Sequence, residues 1–205
     1  SRDWSSDVCS SDLKTYPCLA TGQSAVAAAL KLHRDIKGAV DSVDKIEVAM
    51  ADYHFVHEQQ HDPGRTRPQS REAADHSFQF LIAAALTDGA FGTASFNQER
   101  WLQPSMIALM ERMSMVGDSS LNDRAPGTYP CAIRLVDKAG RTHAAEVLYP
   151  PGYSRGGIDE AEVIAKFHDV AGPAIDKGRR ERIAAAALSF DRAATAKDLT
   201  ATLGA

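Results

Sequence analysis

Apolar residues recur at three- and four-residue spacing early in the chain. Val26, Ala29, Leu30 and His33 share one face, with Lys31 and Arg34 off it. The spacing predicts a helix over 24–34, with Thr21 or Ser24 as its cap. From 45 to 50 the period drops to two. Ile46, Val48 and Met50 alternate with Lys45, Glu47 and Ala49, which predicts a half-buried strand. Residues 52–69 are polar and contain Pro63, Gly64 and Pro68, so they read as a long loop. Loops of that length are uncommon unless functional. Phe78, Leu81, Ile82, Ala85 and Leu86 line the apolar face of a second helix, capped by Ser70 and stopped by Gly89. Pro104 opens a short helix through Met106, Leu109 and Met110. Tyr129, Cys131, Ile133 and Leu135 alternate with polar or small residues, a turn follows at 137–140, and His143, Ala145 and Val147 form one face of a return strand. This is the clearest hairpin in the chain.

Past Pro150-Pro151-Gly152 the two-residue period disappears. Residues 154–157 form a Gly-containing connector, read as a hinge, with Arg155 within reach of substrate or solvent. Asp159 followed by Glu162 resembles a capping box ahead of Val163, Ile164 and Phe167. Further amphipathic helices are expected over 180–190 and 196–203. The fold class is α+β: a unit over 14–153 with an antiparallel sheet, then a helical segment over 154–205. Two or three short helices cannot bury a large core alone, so the segment needs a partner.

The composition narrows the function without naming it. Of 205 residues, 44% are hydrophobic and 24% charged, with net charge −4, which excludes a disordered chain. There is no basic run to bind nucleic acid and no apolar run near the roughly 18 residues that span a bilayer. Three cysteines are too few and too scattered for a disulfide framework or a four-ligand zinc site. A cytoplasmic protein is expected. Residues 1–13, SRDWSSDVCSSDL, stand apart: rich in Ser and Asp, without periodicity, and lacking the apolar run of a signal peptide. They look like a translated sequencing-library adapter, which leads to the expectation that the natural protein extends upstream of Lys14.

Four segments, in order and spacing, resemble the C-terminal part of the MmgE/PrpD family. They are KTYPCLATGQSAVAAALKL (14–32), PQSREAADHSFQFLIAAALTDGAFG (68–92), WLQPSMIALMERMSM (101–115) and YPPGYSRGGIDEAEVIAKF (149–167). The family includes 2-methylcitrate dehydratase, cis-aconitate decarboxylase and iminodisuccinate epimerase. The resemblance implies that 14–153 is a small α/β lid domain. It also implies that 154–205 are returning helices, completing an all-helical domain that is mostly missing. It further implies a homodimeric lyase without metal or cofactor, acting on small di- or tricarboxylates by removing a proton next to a carboxylate. An isomerase or epimerase of the same family, or a non-catalytic binding or dimerisation module, are the alternatives. The fragment alone is expected to be inactive.

The resemblance implies which residues face substrate. Lys14 matches the Lys opening the family's K-x-[YF]-P motif and suits a substrate carboxylate as a flexible cation. His76 lies in a well-kept segment and is the acid/base candidate, with Ser77 beside it facing the cleft or packing on the sheet. Thr21 and Gln23 stand where relatives often carry His, so hydrogen-bonding side chains replace an acid or base there. Thr21 opens the first helix, where free N–H groups can meet an anion; simple capping is the alternative. Arg65, Arg67 and Arg71 bracket Pro68 and could hold a carboxylate in a bidentate fork, or form a solvated positive loop. His54, His57 and His61 look like a metal trio but read better as solvated or interdomain histidines, and Tyr53 lies near a tyrosine position of some relatives. Cys18 and Cys131 read as buried small residues, since no local motif activates either thiol.

Overall fold

The computed structural model describes residues 13–124, 128–153, 159–192 and 195–204. The chain divides into two compact units, Ser1–Gly157 and Ile158–Ala205. The 154–157 connector and most of the 1–13 tail lie outside the described residues.

In the first unit, α1 (Gln23–Asp35) precedes β1 (Val43–Ala51). Then come α2 (His54–His61), α3 (Pro63–Thr66), α4 (Arg71–Ala74), α5 (Phe78–Asp88) and α6 (Pro104–Met110). Three strands follow: β2 (Met113–Asp118), β3 (Cys131–Asp137) and β4 (Thr142–Val147). The sheet order is β2-β1-β3-β4. The α+β expectation holds, and the sheet is mixed. β1–β3 and β3–β4 pair antiparallel as expected, while β1–β2 pair parallel from Ile46↔Met113 to Ala51↔Asp118. Parallel pairing requires a long crossover, and α2 to α6 supply it.

Ile46, Val48 and Met50 of β1 and Cys131, Ile133 and Leu135 of β3 are buried on one sheet face. Lys45, Glu47 and Arg134 are exposed on the other, with Glu47 opposite Arg134. The core continues into α5, where every residue from Phe78 to Leu86 is buried. A helix apolar on all sides belongs inside a fold, and α5 packs against α1 and α6. Phe80 stacks edge-on against Trp101, with ring centroids 6.2 Å apart.

Two sequence expectations are corrected here. The segment 52–69 is not a loop but carries α2 and α3, which bury Val56 and Gln59 from α2. Phe55 and Val56 are adjacent and no apolar residue follows them through His61, so no stripe repeats to be read as a helix. Ser70 does not cap the long helix. Its Oγ accepts from Ala73 N–H at 3.2 Å and caps only α4. The chain breaks at 75–77, and Ser77 Oγ accepts from Phe80 N–H at 3.2 Å to start α5. As expected, α5 ends at Gly89, in the left-handed region at φ 64°.

The second unit holds α7 (Glu160–Ala171), α8 (Lys177–Leu188) and α9 (Ala196–Leu203). Asp159 caps α7 by accepting from Ala161 N–H at 2.9 Å. Arg180 Nη1 donates to the His168 carbonyl at 2.6 Å, joining α8 to α7. Arg179 Nη2 donates to the Leu203 and Gly204 carbonyls, both at 2.7 Å, and so caps α9. Among the described residues of this unit, Ile183 is the one buried hydrophobic, while Val170 and Leu203 are more than half exposed.

Candidate functional site

Two separate stretches of chain meet at the N-terminal end of α5. Leu19 N–H donates to the Asp75 carbonyl at 3.2 Å, joining the segment that carries Lys14 and Thr21 to the break that carries His76. The 13–22 segment is held from its other side by the 150–153 turn. Leu13 N–H donates to the Gly152 carbonyl at 2.7 Å, Thr15 Oγ1 to the Pro151 carbonyl at 2.8 Å, and Tyr153 OH to the Ala20 carbonyl at 3.2 Å. Gly22 permits the approach to α5, because a Cβ there would lie 2.7 Å from Leu19 Cδ2 and 2.9 Å from Leu81 Cδ1.

The electrostatics point to the same neighbourhood. Cys18, within this segment, is buried, and burial pushes its thiol up to about 12. The two charges that reach this thiol are Lys14, which lowers it, and Asp75, which raises it. Lys14 is exposed. The His76 side chain is half exposed, and its Nδ1 meets the Asp75 carboxylate and, at 3.1 Å, the Glu72 carbonyl. Both neighbours are acceptors, so Nδ1 carries the hydrogen and Nε2 is left as the proton-accepting atom.

The other residues singled out from the sequence go elsewhere. Gln23 is fully buried and its carboxamide is bonded to the chain. It accepts from Tyr16 N–H and donates to the Tyr16 carbonyl, both at 2.9 Å. Ser77 is fully buried, and its hydroxyl donates to the Arg65 carbonyl. Thr21 lies in a 3-10 turn, Ala20–Gly22, and Gly22 rather than Thr21 or Ser24 takes the cap position of α1. The three arginines do not form a fork. Arg65 Nε lies 4.0 Å from Asp62, Arg67 pairs with Glu111, and Arg71 stacks over the Phe96 ring at 5.1 Å. Arg67 also lines a cavity of about 230 Å³ with Gln79, Met110 and Met115.

The three histidines of α2 likewise separate. His57 Nε2 lies 2.8 Å from Asp52, and His54 lies 3.5 Å from Glu58. Among the described residues no three His, Cys, Asp or Glu side chains gather to hold a metal. Sequence reasoning missed Asp75 and Gln59. Asp75 directly precedes His76, which is a legible signal; Gln59 gave none, since it sits in a segment read as a loop.

A family model described as the MmgE/PrpD C-terminal domain matches residues 16–192. The chain belongs to the MmgE/PrpD family. It is 27% identical over 129 residues to the cis-aconitate decarboxylase of Mus musculus. That match covers 62% of this chain and 24% of the mouse protein, so the chain spans about a quarter of that relative's length. The matched family region contains Thr21, His76 and the turn at 150–153, and it begins two residues after Lys14. Among the described residues, no helix of this MmgE/PrpD chain is long and apolar enough to cross a membrane.

Proposed function

We propose that this chain supplies one wall of the active site of a lyase acting on small di- or tricarboxylates without a cofactor. Lys14 holds a substrate carboxylate, and His76 Nε2 takes or returns the proton on the adjacent carbon. Thr21 donates a further hydrogen bond to the substrate. As the C–H bond breaks, charge spreads onto the neighbouring carboxylate, and a cation placed there lowers the barrier. Departure of hydroxide from the next carbon completes a dehydration; in a decarboxylation the bond to a carboxylate breaks instead, carbon dioxide leaves, and protonated His76 delivers a proton to the carbanion. Return of the proton to the opposite face makes the same site an epimerase. The observation that supports the reading is the Leu19–Asp75 hydrogen bond, which joins the segment bearing Lys14 to the break bearing His76. Membership of a family that includes a decarboxylase supports the substrate class. The whole protein is proposed to be a cytoplasmic homodimer, its remaining acid/base groups lying in parts that this chain does not include.

Titration of the chain with cis-aconitate and with succinate, followed by NMR, tests the proposal. The expected result is weak binding, on the order of millimolar, with shift changes at Lys14, Thr21 and His76 that vanish in Lys14→Met. Changes confined to Arg65–Arg71, or none at all, would overturn it. Assay of a gene product extended upstream, against hydroxy and amino polycarboxylates, separates lyase from epimerase.

A further inference from the structure

Two buried glutamines do the same thing at the two segments that form this wall. Gln23 closes a ring with Tyr16, donating to its carbonyl and accepting from its N–H, both at 2.9 Å. That is the bonding a neighbouring strand would offer one residue. Gln59, from α2, spans Ser77. Its Nε2 donates to the His76 carbonyl at 2.9 Å, and its Oε1 accepts from Phe78 N–H at 2.8 Å. Gln59 is in turn held, because its own carbonyl accepts from Gln79 Nε2. Gln23 is 0% exposed and Gln59 2% exposed, so neither can turn to a ligand in the cleft. In each case one partner is a carbonyl and the other an N–H, which fixes the orientation of the carboxamide.

We infer that Gln23 and Gln59 are positioning residues. Gln23 sets the segment bearing Lys14, and Gln59 sets the break bearing His76. This rests on the reading of Lys14 and His76 given above and replaces the sequence expectation that Gln23 touches substrate. The physical need is plain at Gln59. Phe78 opens α5, and its N–H has no acceptor within the helix. Of the three residues before it, Asp75 N–H still bonds the Arg71 carbonyl at 2.9 Å, while His76 and Ser77 N–H reach only three residues back, to Ala73 and Ala74, so the regular α-helical ladder is lost there. A two-point carboxamide clamp fixes the peptide planes on both sides of Ser77. It therefore fixes the direction in which His76 leaves the chain, and with it the Nδ1 contacts to Asp75 and Glu72.

The test uses the chain as it stands, with Gln59→Leu and Gln59→Glu. Gln59→Leu keeps most of the volume and removes both bonds. Exchange of the Phe78 amide should then rise about tenfold, the value of one hydrogen bond, while amides from Ile82 to Leu86 hold. The neutral His76 ring should move from the Nδ1–H toward the Nε2–H tautomer, read from its ring ¹⁵N shifts. A role in stability alone would not move the tautomer.

Gln59→Glu adds a rescue. Ionised, the new carboxylate faces the His76 carbonyl; protonated, it again offers one donor and one acceptor. Burial and the facing carbonyl raise its pKa. The Phe78 amide signal should therefore be displaced near pH 8 and return toward its wild-type position as the pH falls. An unchanged His76 tautomer in Gln59→Leu, or no recovery in Gln59→Glu, overturns the clamp. If Gln59→Leu fails to fold, the recovery alone decides. Gln23→Glu, read at the Tyr16 amide, is the matching test for the other segment. Carboxylate binding does not enter these readouts, so failure of the clamp and failure of the functional reading are separable.

Discussion

The Leu19 N–H bonds the Asp75 carbonyl at 3.2 Å across 56 positions of sequence. Through it, the Lys14 segment and the start of α5 become one surface. That surface depends on the turn at Gly152, which holds the same segment from behind. Gly152 sits at φ +85°, and a Cβ there would run into the Leu13 carbonyl oxygen and lie 2.8 Å from Thr15 Oγ1. Gly152→Ala should cost about 1–3 kcal/mol in urea denaturation and speed exchange of the Leu13 amide. A variant as stable and as protected as the parent would show that the turn does not hold the segment.

The core that carries α5 should respond more strongly. Phe80 is fully buried between Phe96 and Trp101. Phe80→Ala is expected to lose about 3–5 kcal/mol. Trp101 fluorescence, recorded in a Trp4→Phe background, should shift to the red as water reaches the indole. An unchanged emission maximum would place Trp101 outside that contact.

Neither described thiol should be reactive. Burial pushes Cys18 up to about 12 and pushes Cys131, which is fully buried, up as well. The reactive form is the thiolate. Iodoacetamide at pH 8 should leave both unlabelled in the folded chain and modify both in denaturant, as mapped by mass spectrometry. Rapid native labelling of Cys18 would contradict its burial.

The β3–β4 turn should lose its anchor in acid. Asp137 accepts from Ala139 and Arg141 N–H, both at 2.9 Å, and from Arg141 Nε at 2.7 Å. The Arg141 backbone bond is the largest of the influences that hold its carboxyl below the ordinary 3.8. A depressed folded value means that the contribution is present above 3.8 and is lost as the pH falls through the folded value. Asp137→Asn should therefore melt earlier than the parent at pH 7, and the gap should close in acid below pH 3.8. A gap that persists there would point to packing rather than charge.

Legibility in the sequence followed how local each signal was. The hairpin announced itself because Cys131, Ile133 and Leu135 alternate and a turn of the right length follows. The long helix did so because its apolar residues repeat and Gly89 stops it. α2 stayed hidden because its two apolar residues, Phe55 and Val56, are adjacent and do not repeat along the helix. β2 stayed hidden because its partner strand begins 70 positions earlier and the pairing is parallel. In the candidate site, Lys14 and His76 could be picked by residue type and motif. The duties of Gln23, Ser77 and the three arginines could not, because a carboxamide or a guanidinium looks the same in sequence whether it faces solvent, a carboxylate or its own backbone.

By itself, then, the sequence determined the α+β class, the hairpin, the long helix with its stop at Gly89 and the family, all of which rest on short-range periodicity and motif order. The tertiary structure decided the rest. It set the parallel edge strand, turned a polar stretch into helices and buried two glutamines as clamps. It also bonded Leu19, in the segment that carries Lys14, to Asp75, with His76 beside Asp75. Those outcomes depend on hydrogen bonds between residues far apart in the chain, and only the packed core fixes which distant groups meet.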